Sequence, residues 1–363
     1  MKKIIKKILG NDASKKLGNI YFRFNNFKRF VGIKVSTIFT FSSSVSTLYY
    51  LFTGEFGRES YSSLKGRQAF VKSAGMNNSL YRRNIHRLEK AMIMRPRRNK
   101  FAEDYINQLV HSHRLMKDQV TESQFEWGQN VLTQYFSLVE EGTSAIIDKA
   151  RSEFFEYSNY CEAQQELLAN SVKKVPFPYE ARESTNITYD EFYALAKARK
   201  SIRWFKDKPV DISLLHKAVN VASQAPSACN RQPFSFYFTN EAAKAQHIGS
   251  LAMGSSGFLN NISSMIAVVG DLSYFDCAHD RHVIYIDSSL ATMQLLLSFE
   301  TLGLASCVLN WPDIKSRDEK LSSYLNLASH ERVICLIAVG YPDEEGLTPY
   351  SEKKPSSELI KEI

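Results

Sequence analysis

Five cysteines are scattered through the 363 residues, at Cys161, Cys229, Cys277, Cys307 and Cys335, and no two form a CxxC pair. Such an odd, unpatterned set excludes a disulfide framework and a zinc ribbon, and it suits a reducing cytosol. A secretory signal is also missing. After Lys2, Lys3, Lys6 and Lys7 there is no adequate apolar core and no small-residue cleavage site. The one uncharged stretch long enough to span a bilayer is residues 35–54, and nine of its 20 residues are Ser or Thr. Lys28, Arg29 and Lys34 precede it and Arg58, Lys65 and Arg67 follow, which gives no orientation. It reads as packed or interfacial. Acids are nearly absent from residues 1–34, which hold ten Lys or Arg against one Asp, a balance of +9. The whole chain carries +8, so everything after residue 34 is close to neutral. The basicity therefore belongs to an N-terminal arm suited to peripheral contact with an anionic membrane, and no nucleic-acid partner is expected.

Hydrophobic content of 44% and charged content of 23% are those of a globular protein with ample core. The expected location is cytoplasmic, with membrane contact at most peripheral. No internal repeat is visible. Residues 79–172 read as helical: Phe101, Tyr105 and Leu109 recur every four residues, with Val110 beside them. Helical pattern continues over 124–141 and 143–171, without Pro and with Gly only at 128 and 142. Pro176 and Pro178 then end it, and a polar run to Asn186 reads as a linker. This divides the chain into a basic, mainly helical extension (1–178) and a second domain (188–363).

From Thr188 the pattern alternates. Thr188 with Glu191 makes a capping box for a helix through about Ala198, and Asp211 can cap the next, 212–224. Strand composition marks 234–238, 265–269, 305–309 and 333–339. Residues 283–302 are apolar almost all round and predict a helix buried on most sides. The order predicts an α+β fold, a central mixed sheet flanked by helices.

Four short stretches could carry chemistry. In extended Arg199-Lys200-Ser201-Ile202-Arg203, alternate side chains share a face, so two guanidinium forks flank a hydroxyl, as a terminal phosphate needs. Pro226 and Pro233 pin an eight-residue loop in which Ser227, Asn230 and Gln232 offer donors and acceptors to the edge of a flat heterocycle. Gly303-Leu304-Ala305-Ser306-Cys307 and Gly340-Tyr341-Pro342, followed by Lys353-Lys354-Pro355, complete the set.

In order and spacing these stretches, with Asp287 between them, resemble the FMN-dependent nitroreductase family over about residues 188–363. The resemblance implies an α+β homodimer with flavin sites at the subunit interface, and an NAD(P)H-dependent flavin oxidoreductase that transfers hydride by a ping-pong mechanism to a small-molecule acceptor. It implies that Arg199, Ser201 and Arg203 hold the FMN phosphate, with Lys200 where a second Arg is frequent. It brings Pro226, Ser227, Asn230 and Gln232 to the flavin from the neighbouring subunit, and places Ala305 and Ser306 beside the ring. Lys353 stands for a usual Arg that closes on the phosphate, keeping charge but losing the bidentate fork. Phe234 replaces a usual Trp, Ala305 replaces a glycine, and residues 308–312 depart from the glycine-bearing continuation of the family.

No catalytic acid or base is expected, because the flavin carries the hard step. His111 and His113, two apart, would diverge on a helix. The run from Asp276 to His282 looks metal-like, with His279 and His282 able to share a helical face, but it opens a helix whose dipole suits acids, and no metal is expected. Eight Lys and Arg crowd residues 82–100 with Glu89 the only acid. His86-Arg87-Leu88-Glu89-Lys90 resembles an extension found before some nitroreductase-like domains near polysaccharide-biosynthesis genes. The basic run is either a site for an anionic ligand or a solvated, salt-bridged helix face, and the second is expected. The alternative function is a non-catalytic dimerisation scaffold that docks on a membrane or a polysaccharide-synthesis complex.

Overall fold

The two central strands of a small sheet are buried on both faces, their side chains alternating between two cores, and that arrangement organises the C-terminal half. The computed structural model describes residues 37–73, 77–160 and 174–363. The basic arm over 1–34, the expected helical pattern over 161–171 and Cys161 lie outside them. Two compact units are present, one up to Tyr61 and one from Ser62 onward. In the first, a single turn at Phe39–Phe41 leads into α1 (Ser43–Thr53), where the Ser42 hydroxyl accepts from the Val45 amide. No side chain of α1 is buried, and Leu51 and Phe52 are largely exposed. Helix α2 (Gly57–Lys72) follows. None of the helices among the described residues is long and apolar enough to cross a membrane.

The second unit begins its ordered packing with four helices: α3 (Asn78–Met92), α4 (Ile106–Met116), α5 (Glu122–Leu138) and α6 (Ala145–Tyr160). Apolar side chains recur at helical spacing on each, with Tyr81, Ile85, Leu88 and Met92 on α3 and Val131, Leu132, Tyr135 and Phe136 on α5. They close a core of their own, α3 packing on α5 and α4 on α6. The expected helical face through Phe101 and Tyr105 needs correction. Ala102 takes φ +68, Tyr105 is the residue before the helix, and α4 starts at Ile106. Phe101 packs on the core from the preceding turn, its carbonyl accepting from the Tyr135 hydroxyl at 2.8 Å. Apolar spacing persisted across a break in the backbone.

Beyond a turn at Tyr179–Ala181 come α7 (Tyr189–Ala198), with both halves of the Thr188/Glu191 capping box formed, and α8 (Ile212–Ala222), where Asp211 accepts from the Ser213 amide. The sheet contains β1 (Phe234–Thr239), β2 (Ser264–Asp271), β3 (Ala305–Asn310) and β4 (Glu331–Gly340) in the order β1-β2-β4-β3. All three pairings are antiparallel, so the four named strands form an antiparallel sheet, and an isolated parallel bridge joins Ser201 to Ser306 at the β3 edge. On β2, Met265, Ala267 and Val269 face one core while Ile266 and Val268 face another, as the two-residue period of a strand requires. Helices α9 (Ala242–Leu251) and α11 (Lys315–Tyr324) cover the first core, and α8 and α10 (Val283–Thr301) cover the second. A short helix, α12 (Ser356–Leu359), lies near the end of the chain.

The linker therefore separates two cores, but the helical bundle and the sheet domain stand within one compact unit; the unit break falls at residues 61/62. Helix α10 also departs from expectation. Its inner face is buried through Ile284, Ala291, Leu295 and Phe299, while Ile286, Leu290 and Met293 are 57%, 43% and 42% exposed. Apolar residues all round the helix include one stripe that the described residues leave exposed.

Candidate cofactor site

Two separated segments meet at one small cavity. Tyr193, Ala196 and Lys197 from the end of α7, then Arg199, Lys200 and Ser201, and finally Pro349, Ser351 and Lys353 line a space of about 200 Å³. Arg199 is the residue that closes α7, its amide donating to the Leu195 carbonyl at 3.1 Å. A helix C-terminus carries partial negative charge, so any anion held here depends on the cations around it. The Nε of Arg199 is buried and has no hydrogen-bond partner among the described residues. Among the described residues, Lys197, Arg199, Lys200 and Lys353 form no ion pair, whereas neighbouring Lys354 reaches Glu358 at 3.9 Å.

Ser201 is fixed by the sheet. It bridges to Ser306 on β3, and the Ile202 amide donates to the Ser306 carbonyl at 3.0 Å. Further on, Phe205 enters the core, and the Asn261 side chain holds its backbone with bonds of 2.6 and 2.9 Å. The chain thus leaves α7 as a short strand beside Ala305 and Ser306, which brings two sequence motifs into contact. Helix α10 delivers the second of them. It closes with the Leu304 amide on the Phe299 carbonyl (2.9 Å) and the Gly303 amide on the Glu300 carbonyl (3.3 Å), with Gly303 at φ +71. A positive φ at this point turns the chain sharply into β3, and glycine adopts it without strain.

Arg203 takes a different place from Arg199. It does not line the cavity; its Nη1 donates to the Ser201 carbonyl at 3.1 Å and its guanidinium lies 5.9 Å from the Phe258 ring centre. Burial pushes the Cys307 thiol up, and Arg203 and then Arg199 pull it back down.

The 226–233 loop is built separately. Asp287 on α10 accepts from the Ala228 amide at 2.9 Å, and burial raises its carboxyl above the usual range, opposed by that bond and by Arg231. The Ser227 hydroxyl oxygen accepts from the Gln232 amide at 3.1 Å. Cys229, Asn230 and Gln232 take φ values of 53, 53 and 52 degrees, in the left-handed region. The Gln232 side chain is hydrogen-bonded at both ends. Its side-chain amide donates to the Ser223 carbonyl at 2.7 Å and its carbonyl accepts from Arg82 Nη2 at 3.0 Å. Both ends serve the loop itself. Pro226, Ser227 and Asn230 do not line the cavity at Arg199.

Sequence reasoning missed Lys197, Tyr193 and Ser351 at the cavity, although Lys197 stands two residues before the first motif. It grouped Arg82 with a basic run. Among the described residues, three of its eight cations are ion-paired: Arg83 with Asp276 (3.8 Å), Arg87 with Asp104 (3.0 Å) and Lys100 with Glu103 (2.9 Å). His113 is wholly buried and His111 exposed, so the two do diverge. The run before α10 forms a turn at Ala278–Asp280, with His282 just before the helix. Cys277, His279 and Asp280 come together there, their ligand atoms within 4.8 Å, and Arg231 lies 3.8 Å from Asp280. The departure after Cys307 has a plain outcome: Val308, Leu309 and Asn310 extend β3, and the Trp311 ring N–H donates to Asp318 at 3.2 Å.

The Nitroreductase family model matches residues 196–256 and 242–341, so the C-terminal half carries a nitroreductase-family domain. An iodotyrosine deiodinase of Thermotoga neapolitana is 28% identical over 185 residues, 46% of this chain and 95% of the relative. An NADH dehydrogenase of Thermus thermophilus is 27% identical over 183 residues, 42% of this chain and 86% of the relative. Among solved structures, an FMN-dependent nitroreductase of Clostridium difficile is 27% identical, covers 43% of this chain and 91% of its own, and has a TM-score of 0.39. Each of these matches covers less than half of the present chain.

Proposed function

We propose that residues 188–363 bind FMN and that the protein is an FMN-dependent oxidoreductase, transferring hydride between NAD(P)H and a small-molecule acceptor by a ping-pong mechanism as a homodimer. The observation that carries this reading is the meeting of Arg199, Lys200, Ser201 and Lys353 from two distant segments around one cavity with no carboxylate among them. The donor set fits a phosphate dianion. Arg199 presents a buried N–H without a partner, Ser201 a hydroxyl, and the lysines mobile charge.

At about 200 Å³ the cavity is smaller than the ~300–1,000 Å³ typical of sites that enclose a whole ligand. It suits the phosphate end of the cofactor, and the ring then extends beyond it. In this reading Ala305 and Ser306 border the path from the phosphate, and a second subunit contributes Pro226, Ser227 and Asn230 to the ring edge, with Gln232 supporting the loop behind them. Arg203 braces Ser201 rather than gripping phosphate directly. The bound flavin supplies the hydride chemistry; the protein binds, orients and shields it. An absorbance spectrum of purified protein tests the reading. It predicts a flavin band, bleached anaerobically by NAD(P)H; colourless protein that ignores added FMN overturns it.

A second reading is favoured by α1, which buries no side chain and exposes Leu51 and Phe52 next to the basic arm. Here the nitroreductase-like domain is a dimeric scaffold docked by its N-terminal region on an anionic membrane or a polysaccharide-synthesis complex. Flotation with anionic vesicles, comparing the full chain with one starting near Ser184, separates the two. Equal behaviour of both chains removes the docking role.

A further inference from the structure

The 226–233 loop carries an arrangement that needs support. Three of its non-glycine residues, Cys229, Asn230 and Gln232, hold left-handed backbone angles, which L side chains disfavour and which persist only where the surroundings over-determine them. Asp287 secures the start of the loop at the Ala228 amide, and the Ser227 hydroxyl secures the Gln232 amide. Neither reaches the carbonyl of Asn230 or the side-chain carbonyl of Gln232. Both of those acceptors go to a single residue about 150 positions upstream. Arg82 on α3 donates from Nε to the Asn230 carbonyl at 2.9 Å and from Nη2 to Gln232 Oε1 at 3.0 Å.

Arg82 is itself held for this purpose. Its Nη1 donates to Gln124 Oε1 at 3.3 Å, and its guanidinium sits 5.5 Å from the Trp127 ring centre. The Trp127 ring N–H donates in turn to Glu89 Oε1 at 2.8 Å, and Glu89 Oε2 is 2.9 Å from His86 Nδ1. Gln124 is tied back to Asn78 by its own amide. No carboxylate pairs with Arg82 among the described residues. Its planar fork is committed to neutral acceptors, two of them on the strained residues of the loop. The other arginine of the loop, Arg231, points elsewhere, over the Phe275 ring and toward Asp280.

We propose that the helical bundle is a brace for the cofactor-binding loop, with Arg82 as the positioning residue that locks Asn230 and Gln232 into the conformation in which the loop meets the flavin. The extension is then a working part of the site, and its basic residue at position 82 acts on loop geometry without touching cofactor. The inference rests on the reading of this loop as a flavin contact, but the brace itself can be tested without flavin.

The experiment compares the full chain with Arg82→Ala, Arg82→Lys and Arg82→Gln. Hydrogen exchange of the cofactor-free proteins is followed over residues 227–233, with β2 and α8 as internal references. FMN affinity is followed by flavin fluorescence quenching, together with the shape of the visible flavin band. Loss of the brace raises exchange in the loop by about tenfold or more while the references stay as in the parent. FMN affinity falls by about tenfold and the bound flavin band changes shape. Lysine rescues little, because a point charge cannot make two directed bonds to separate acceptors. The Arg82→Gln variant keeps most of the side-chain volume, so unchanged references with a mobile loop in that variant distinguish lost bonds from lost packing. Loop exchange equal to the parent in all three variants overturns the proposal. Parent protein that takes up no FMN defeats the flavin reading instead, and loop exchange alone then decides whether Arg82 is a brace.

Discussion

Arg199 and Lys353 line the same cavity but differ in how firmly they are held. Arg199 is partly buried at the end of α7 with an unused Nε–H, whereas Lys353 is exposed on an irregular segment. A buried fork loses more on truncation than a solvated ammonium. Arg199→Ala should weaken FMN binding by about 10- to 100-fold, the loss of one charge-assisted bond at ~1.5–3 kcal/mol. Lys353→Ala should cost less than about tenfold, and Lys353→Arg should tighten binding by restoring a bidentate contact. Fluorescence titration checks all three, and an arginine at 353 that binds no better than lysine argues against direct phosphate contact there. Another residue-scale expectation concerns His113, whose ring lies between the Tyr81 hydroxyl and Gln129 Oε1, each at 2.8 Å, and stacks on Phe125. Burial lowers its pKa from 6.5 to about 4, opposed by the Gln129 bond. Between those values the unfolded chain takes up a proton that the folded bundle refuses. Stability is thus full above pH 6.5 and falls with decreasing pH toward 4, by up to about 1.4 kcal/mol per pH unit. Urea unfolding across pH 7 to 4.5 measures this slope, and His113→Gln should flatten it although the variant is less stable overall. The phosphate-type motif was legible because charge and hydroxyl spacing speak for themselves. Arg82 was not: nothing local distinguishes an arginine that reaches across about 150 residues from its solvated neighbours.

At the scale of elements, the capping residues announced their helices. Thr188 with Glu191 and Asp211 stand where α7 and α8 start, because an N-cap is satisfied by atoms within four residues. The four strands were equally legible from runs of β-branched and aromatic residues. Harder to read were places where packing overrides pattern: the turn that puts Phe101 outside α4, and the outward stripe of α10. Gly128 is another such place. It sits inside α5, where an alanine would ordinarily add helix stability of about 1 kcal/mol. An added Cβ would lie 1.9 Å from the Tyr81 hydroxyl oxygen and 3.1 Å from Ile85 Cδ1. Tyr81 cannot retreat without leaving His113, so α3 and α5 must part. We expect Gly128→Ala to destabilise the bundle by about 1–3 kcal/mol, the usual cost of overpacking. The urea midpoint measures it; a variant as stable as the parent would show that α3 and α5 are not this close. Because α3 carries Arg82, the same substitution should also loosen the 226–233 loop.

At the scale of the whole molecule, the proposed site draws on parts that lie apart in one chain. The phosphate-type cavity excludes the 226–233 loop, and at about 200 Å³ it holds no more than the anionic end of a flavin. Ile286, Leu290 and Met293 meanwhile form an exposed apolar stripe at i, i+4 and i+7 on α10, the helix that anchors that loop through Asp287 and leads into β3, where Ser306 bridges to Ser201 of the cavity. Burial of such a stripe against a second copy would stabilise association by roughly 1.5–3 kcal/mol for each large side chain fully covered. Loop, stripe and cavity therefore belong to one expectation: subunit association and flavin binding are coupled. Leu290→Asp places a charge in the middle of the stripe without replacing a residue of either motif. Light scattering after size exclusion should show a dimer for the parent and a monomer for the variant, and FMN affinity should fall together with association. Increasing the variant's concentration should restore both in parallel, since a dimer driven by mass action recovers its site as it reforms. A variant that runs as a monomer and still binds FMN with parental affinity would mean that one chain supplies the entire site, and the role of the partner's loop would be lost.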